Sequence, residues 1–598
     1  MVYCHTSAVY QTTVTVSMVI TTGQVRSGAY YDSVVLMHLQ RSLAGLPGIL
    51  DAGVVMGTAA NKEILAQTGL LIPQAQAAAA DDLVIVVRAD DAAAAQAALD
   101  QVDTLLAQRR RTVELEFLPK SLESAAQMLP DAQWVLVSIA GRYAASVARQ
   151  ALQLGKHVFL YSDNVSLEDE ISLKQLAASG GLLVMGPDCG TAIVNGVGLG
   201  FANRVRRGPI GLVAASGTGL QQVSSRIHEL GGGLTQALGT GGRDLSEAVG
   251  AVTARQGLDL LSRDPQTQVI VLISKPPAPK VADELLQLAR SAGKPVVVDF
   301  IGYLGRSVDN LHFANTFDEA ASTAVQLATR QASGGEQVDS AIPTGQFAPG
   351  QRYLRGLFSG GTLAYEAQLL LQDYLPGVSI RSNAPLRKEH RLTSSLVSQE
   401  HTIVDLGEDE FTVGRLHPMM DNDLRIRRLH QETADPEVAV ILLDVVLGYG
   451  AHPDPASELA PAIAQAHNHA AEAGRHLEVV AVVVGTDEDP QDMAAQVEQL
   501  EAAGALVETS NDAAIRYVGH LLQAMPPQQA ESPVGELRGQ KPVSLSVLQA
   551  PLAAINIGLE SFAASLRAQG AAVSQVDWRP PAGGNEQLMA ILERMRRK

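Results

Sequence analysis

Twice in this chain an uninterrupted apolar run ends in serine and glycine and then turns into helical periodicity. The first is Gly211-Leu-Val-Ala-Ala-Ser216-Gly-Thr218-Gly219, with a helix through Leu230. The second is Gly356-Leu-Phe-Ser359-Gly360-Gly361-Thr362, with a helix through Tyr374. A strand without polar alternation must be covered on both faces, and strands separated by helices meet that need in a parallel sheet. The same order of loops continues downstream of each. Leu238-Gly-Thr-Gly241-Gly242-Arg243-Asp244 answers to Leu406-Gly407 through Gly414-Arg415. Val269 to Ile273, before Ser274-Lys275-Pro276-Pro277, answers to Val438 to Leu443, before Asp444 and Gly448-Tyr-Gly450. Val296 to Phe300 and Val479 to Val484 close the two blocks. This order predicts a duplicated flavodoxin-like domain.

The remaining chain divides around that pair. Stretches rich in Gly, Ser, Pro and Gln at 332–351 and 525–542 lack apolar periodicity and read as linkers. The parts are a 22–112 N-terminal α+β accessory domain, a 115–206 Rossmann-like domain, blocks at 208–331 and 352–524, and a 543–598 tail. In the first, helices are predicted at Tyr31 to Ala44, Lys62 to Thr68 and Ala92 to Gln108, with strands at Gly53 to Met56 and Leu83 to Arg88. In the second, strands at Trp134 to Ile139, Val158 to Tyr161 and Leu182 to Met185 alternate with helices. Its first loop, Ala140-Gly141-Arg142, is not the dinucleotide fingerprint, so a NAD role is disfavoured. In the tail, Val543 to Leu548 and Ala553 to Ile557 are strand-like, Glu560 to Gln569 is an amphipathic helix, and Trp578-Arg-Pro-Pro forms a rigid exit. A unit so short rarely folds alone. It is expected to dock on its own chain or a partner subunit, or to cap the last domain.

Composition narrows the function classes. The 598 residues carry a formal net charge of −18, which argues against general nucleic-acid binding. Two cysteines, Cys4 and Cys189, exclude a disulfide framework and an all-cysteine metal site. No apolar run reaches the roughly 18 residues of a membrane span. No charged segment followed by a clean apolar core marks a signal peptide. A soluble cytoplasmic protein that binds no membrane is expected.

The Ser-Gly loops carry chemistry. Glycine permits close backbone approach, and a helix start presents unpaired N–H groups with the positive end of the dipole. Such a loop binds phosphate or carboxylate, or its Ser and Thr simply cap the helix. Ser216, Gly217, Thr218 and Gly219, with Ser359, Gly360, Gly361 and Thr362, are candidates to face one anion from two sides. Gly241 and Gly242 precede Arg243, and Gly414 precedes Arg415, at predicted strand exits, where ligands of open parallel sheets bind. Either arginine suits a carboxylate or phosphate, or pairs with an acid to fix its loop. Among histidines, His312, His417 and His452 are candidates, with His452 in the exit loop Gly450-Ala-His-Pro-Asp454. A lone histidine is more often structural, and no short metal-binding spacing supports a metal site. Cys189 reads as a small loop residue. No Walker A pattern or nucleophile elbow is present.

Several of these motifs carry a family resemblance. Gly186-Pro-Asp-Cys-Gly, then Gly211 through Ser216-Gly-Thr, then Gly241-Gly242, resembles the α subunit of succinyl-CoA synthetase. The block 356–523 resembles the carboxyl-terminal domain of its β subunit. More specifically, the chain is similar to the FdrA family of acyl-CoA synthetase-like proteins from allantoin-utilising bacteria. That likeness rests on Asp163 to Glu170, Gly186 to Thr191, Ala214 to Gly219, Gly407-Glu-Asp with Thr412 to Pro418, Leu443 to Gly448, and Ile555 to Gly584. It runs from about residue 22 to the end, and the first twenty residues lie outside it. The resemblance implies a multidomain α/β protein: the accessory unit, a CoA-binding-type Rossmann domain, two flavodoxin-like ligase domains of succinyl-CoA synthetase type, and a short C-terminal docking unit. It also implies a carbamoyltransferase that works with two partner subunits as a hetero-oligomer, converting oxalurate and phosphate to oxamate and carbamoyl phosphate.

The departures from the synthetase are specific. Its phosphohistidine lies in a Gly-His-Ala-Gly context, where this chain has Asn310-Leu-His312-Phe-Ala. Its steadying glutamate lies in Gly-Glu-Ile-Gly-Gly, where this chain has Ser274-Lys275-Pro276-Pro277. About twenty residues separate the two ligase-like blocks, far below the roughly 100–200 of a nucleotide-binding domain. On this reading phosphate lies at the paired Ser-Gly helix starts, and Arg243, Arg415 and His452 are the catalytic candidates. Cofactors are none, or CoA as a possible ligand. Two other readings stay open: an acyl-CoA ligase that borrows its nucleotide site from another chain, and a non-catalytic scaffold.

Overall fold

The structure is a computed structural model of the chain. It describes residues 19–27, 33–80, 82–106, 119–303, 305–329, 347–412, 415–524, 548 and 550–578. Most of both linkers, the strand-like residues 543–547, Gly414 and the exit beyond Trp578 lie outside these residues. The chain divides into two compact units. One is Met1–Phe117 with Val413–Leu416 and Arg579–Lys598, and the other is Leu118–Thr412 with His417–Trp578. Among the described residues no helix is long and apolar enough to cross a membrane.

In the first unit the strand Leu83–Ala89 is central to an antiparallel sheet, between Ile20–Arg26 and Ile49–Met56. Its sequence LVIVVRA is apolar at almost every position because both faces are covered. Leu83, Ile85 and Val87 pack with Leu39, Leu43, Ala95 and Ala98. Val84 and Val86 pack with Leu65, Leu70 and Ala75. The helices Ser33–Ala44, Ala59–Gln67 and Ala92–Asp100 match the predicted ones, while the polar edge strand Ile20–Arg26 was hidden by its Thr-Thr-Gly-Gln run.

The second unit holds three sheets. A five-stranded parallel sheet runs Ala572–Val576, Ala553–Gly558, Trp134–Ser138, His157–Leu160, Val184–Met185. Two of its strands come from the tail, with Ile555 in register with Val135. The tail therefore docks on its own chain, one of the expected outcomes, and does so by completing the Rossmann sheet, not by capping the last domain. The physical reason is that Trp134–Ser138 is buried along its length, and its free edge needs a hydrogen-bonded partner.

A seven-stranded sheet runs Leu311–Phe313, Val296–Phe300, Val269–Ser274, Arg207–Ala215, Leu234–Gly239, Thr191–Val194, Val197–Gly200. Its last two strands are an antiparallel hairpin. The predicted boundary at 206 therefore splits this sheet, because Ile193 pairs with Ala237. A six-stranded parallel sheet runs Ile380–Ser382, His401–Asp405, Tyr353–Phe358, Val438–Val446, Glu478–Val484, Leu506–Glu508. Leaving aside the hairpin and the short strand Ile380–Ser382, both sheets follow the 2-1-3-4-5 order of doubly wound flavodoxin-like folds. The duplication predicted from loop order is thus a duplication of topology.

The two halves share one core. Leu220, Val223, Ile227, Ala320, Ala324, Leu363, Ala367, Leu371, Ala514 and Val518, from helices of both halves, cluster with strand residues of both sheets. Hydrogen bonds join them as well: the backbones of Ala202 and Tyr449 form a bridge, and the Asn203 side chain donates from Nδ2 to Leu447 O and Asp489 Oδ2. Burying one apolar layer between two sheets fixes their relative register and brings the helix starts at 217 and 361 together.

Candidate functional site

In each half the first and third strands diverge to opposite sides, and ligands of doubly wound sheets bind at that switch point, beyond the carboxyl ends of the strands. In the first half the exits are Ser216 and Lys275, since Ser274 pairs with Ala215. In the second they are Ser359 and Asp444, since Leu357 pairs with Leu443 one step before Asp444.

The two Ser-Gly loops meet. Ser216 Oγ accepts from Gly219 N at 2.9 Å, capping its own helix, and donates to Thr362 Oγ1 at 2.8 Å. A Cβ on Gly360 would lie 2.7 Å from the Thr218 methyl, so only glycine lets the loops approach this closely. Beyond the capped Gly219, the helix-start amides of Gly217 and Thr218 have no hydrogen-bond partner among the described residues, and neither do those of Gly361, Thr362 and Leu363. These are donors for an oxyanion.

The loops differ in what surrounds them. Ser359 N and Oγ donate to Asp444 Oδ1 at 2.7 and 3.0 Å, and Gly360 N donates to Asp444 Oδ2 at 2.8 Å. That carboxylate, fully buried and 3.5 Å from Arg425, occupies the place an external anion would take. Asp405 also flanks the second loop: its Oδ2 lies 2.0 Å from where a Cβ on Gly361 would be. Burial pushes the Asp405 carboxyl up to about 7, Glu408 adds repulsion, and Lys275 opposes both. Asp188 is open to solvent, yet protein packed around its carboxyl desolvates it and raises it to about 7, with Asp163 and Asp409 reinforcing and Lys275 again opposing. The buried Asp405 carboxyl, raised toward neutral pH, gives the recess acid–base capacity.

His417 stands beside Gly407, next to the second loop. Its Nδ1 accepts from Met419 N at 3.2 Å, which leaves the proton of the neutral ring on Nε2. Burial, with Arg425 nearby, lowers it to about 4, so near pH 7 the ring is a neutral donor.

The other predicted residues sit elsewhere. Arg243 Nε binds Glu170 at 2.8 Å and its other nitrogen donates to Val165 O at 2.8 Å. Asp244 pairs with buried Lys174 at 2.7 Å, so the Gly-Gly-Arg-Asp segment is tied by a charge network. Gly241, at φ +89°, packs on the turn at Gly186-Pro187, and Gly242 faces Asp188. Arg415 belongs to the first unit, where its Nε donates to Asn61 Oδ1 at 3.1 Å. His452 is buried, its Nδ1 accepting from Asp454 N and its Nε2 lying 3.3 Å from Glu458. His312 lies on the edge strand Leu311–Phe313, opposite Val297, not at a strand exit. Cys189 is buried, and burial pushes its thiol up to about 12, in keeping with a small packing residue. Sequence reasoning passed over Lys275, Asp405 and Asp444. The signal available was a charged residue interrupting an apolar run at a strand exit.

Comparison with known proteins fits this architecture. A CoA-ligase family model matches residues 357–521, and a CoA binding domain model matches 206–302. The latter falls on the block that contains Ser216, where the sequence predicted a ligase-type domain, rather than on 115–206. These matches give the chain a CoA-binding and a CoA-ligase domain in an acyl-CoA synthetase-like fold. The uncharacterized protein YahF of Escherichia coli K12 is 43% identical over 499 residues, covering 81% of this chain and 96% of YahF. The chain belongs to the YahF family. The α subunit of an ADP-forming succinate–CoA ligase from Aquifex aeolicus is 24% identical over 173 residues, 28% of this chain and 55% of that subunit. A dinucleotide-forming acetyl-coenzyme A synthetase of Ca. Korarchaeum cryptofilum has 16% identity and a TM-score of 0.27, covering 66% of this chain and 82% of that one.

Residues 18–117 match a model described as AllF, heavy metal-associated domain. This stretch contains no cysteine and one histidine, His38. Among the described residues no group of three or more His, Cys, Asp or Glu is placed to hold a metal. The donor set does not fit a soft metal ion.

Proposed function

We propose that the chain handles an acyl phosphate at the junction of its two ligase-type halves. The observation that carries this is the Ser216–Thr362 hydrogen bond, which locks together two helix starts with unpartnered amides. Phosphoryl oxygens lie on the Gly217 and Thr218 amides, and a nucleophile attacks the acyl carbon. The bond from that carbon to the bridging phosphate oxygen breaks, phosphate leaves with the electron pair, and the nucleophile's proton passes to the departing phosphate. Amides aimed at the leaving oxyanion stabilise its developing charge. In the acyl-CoA ligase reading the nucleophile is the CoA thiol. The CoA-ligase and CoA binding domain matches support this reading, as does the likeness to a succinate–CoA ligase subunit. A partner chain then supplies the nucleotide site.

Carbamoyl transfer is the second reading. The acyl phosphate is carbamoyl phosphate, the nucleophile is the oxamate amide nitrogen, and the products are oxalurate and phosphate, with two further subunits as partners. One observation favours it. Lys275 and Pro276 stand at the exit where a synthetase carries its phosphohistidine-steadying glutamate, and His312 lies on an edge strand instead of the site. Transfer without a phosphoenzyme needs neither group.

The test incubates the full chain, alone and with its co-purifying partners, with acetyl or succinyl phosphate plus CoA, and separately with carbamoyl phosphate plus oxamate. A thioester supports the ligase reading, and oxalurate the transferase reading. Ser216→Ala is expected to lower either rate at least about tenfold, because it removes the hydrogen bond that holds the two helix starts in register. Turnover of neither pair, or full activity in the variant, removes the proposal.

A further inference from the structure

The first switch point presents a cation that no described residue neutralises by contact. Lys275 follows Ser274, which pairs with Ala215, so Lys275 and Ser216 stand side by side on adjacent parallel strands, about 4.8 Å apart in backbone terms. The side chain is half-buried, and it makes no hydrogen bond or ion pair within 4 Å with any described residue. The fully buried cations of this unit, by contrast, are matched among the described residues: Lys174 with Glu170 and Asp244, Arg355 with Glu432, Arg425 with Asp444, Arg428 with Glu432. Lys275 acts electrostatically on Asp188 and on Asp405, one from each side of the recess. Its ammonium is therefore within electrostatic range of both carboxyls. A second group lacks a partner there too. Thr191 Oγ1 is almost fully buried and makes no hydrogen bond, 3.7 Å from the Cβ position of Gly217, the first residue of the 13-residue helix Gly217–Glu229.

We propose that Lys275 is a substrate-binding residue, its ammonium pairing with the phosphoryl oxygens of the anion held on the Gly217 and Thr218 amides. The proposal rests on the acyl-phosphate reading only for what that phosphoryl group is attached to. A lysine ammonium is a compact point charge suited to phosphate, and in a recess bordered by Asp188 and Asp405 the anion needs such a charge. Thr191 rotates its hydroxyl toward the same oxyanion.

The test uses the full chain and inorganic phosphate as the probe. Lysines are acylated with acetic anhydride and quantified by mass spectrometry, with exposed Lys280 as the internal control. Phosphate is expected to slow labelling of Lys275 and leave Lys280 unchanged. By calorimetry, K275M is expected to bind phosphate at least about tenfold more weakly, the scale of a lost charge-assisted hydrogen bond, and K275R to recover most of the affinity. A role confined to balancing Asp188 and Asp405 predicts altered unfolding with unaltered phosphate binding, and that result overturns the proposal. So does Lys275 labelling that ignores phosphate, or protection by oxamate alone, which assigns the lysine to a carboxylate. If K275M does not fold, the labelling of the unmodified chain decides. Phosphate protection without acyl-phosphate turnover keeps the Lys275 site and removes the acyl-phosphate reading, so the two failures are separable.

Discussion

The two halves repeat one topology but fill their switch points with opposite charge. In the first half Ser216 caps its own helix, and the neighbouring strand offers Lys275. In the second the neighbouring strand offers Asp444, whose carboxylate takes the amides of Ser359 and Gly360. Asp405 then crowds the next residue, Gly361. Two loops with almost the same sequence thus do different work. The second is a buttress: an internal carboxylate holds Ser359 and Gly360, and the unpartnered amides that follow are crowded by Asp405 at Gly361. The first keeps its leading amides unpartnered beside a cation. A Ser-Gly helix start marks an anion site only when the adjacent strand does not supply the anion itself.

The harshest way to break this contrast is to remove the internal anion. Asp444→Ala is expected to cost about 3–5 kcal/mol, because it strips three donors of their acceptor and leaves buried Arg425 without its partner. Urea unfolding of the variant measures this. A cost below about 1 kcal/mol would mean that the second loop is not held by Asp444, and the two loops would again be equivalent.

A second test exploits pH. Asp405 ionises at about 7 in the folded protein against an ordinary value of 3.8, so the folded state keeps a proton that the unfolded chain has released. Its contribution is intact below 3.8, falls as pH climbs through that window, and levels off above about 7. Asp405→Asn removes this slope. Denaturation at pH 5 and pH 8 is expected to show the unmodified chain losing more stability over that interval than the variant. Asp188, raised to the same region, leaves both proteins a shared residual slope, so the difference between them isolates Asp405. Equal slopes would place Asp405 outside the desolvated recess.

What the sequence disclosed, and what it did not, follows from the range of each interaction. The strands and helices of both halves were legible because apolar runs such as Val269–Ser274 and Val438–Val446 are local signals. The repeat of loop order led to the expectation that the two Ser-Gly loops face one anion, but not to their direct Ser216–Thr362 hydrogen bond. Asp444 was not recognised, because within Leu443-Asp-Val-Val-Leu it reads as a single polar residue ending a strand; its partners lie 85 residues earlier. The pairing of the tail strand Ala553–Gly558 with Trp134–Ser138, and of the hairpin 191–200 with the second sheet, leaves no local periodicity at all. Arg243 and Arg415 show the opposite limit. Their glycine-rich contexts are local and conspicuous, yet Glu170 and Asn61, distant in sequence, decide where they point.

The mildest test compares the same position in the two loops. Gly217 and Gly361 each open a helix, at a place where alanine is the better helix former. Around Gly217 an added Cβ meets nothing nearer than 3.7 Å, and its φ is not in the left-handed region. Gly217→Ala should therefore shift stability by no more than about 0.5 kcal/mol, the range of an unhindered surface-like substitution. At Gly361 the same methyl would fall 2.0 Å from the Asp405 carboxylate. Because the far end of a side chain and not backbone must yield, Gly361→Ala is expected to cost about 1 kcal/mol, at the low end for overpacking. The pair of unfolding midpoints carries the information: a silent change at 217 beside a measurable one at 361 means that the first loop has room in front of its amides and the second does not. If both are silent, Asp405 does not press on the second loop, and if Gly217→Ala is the costlier, the space assigned to the ligand is already filled by protein.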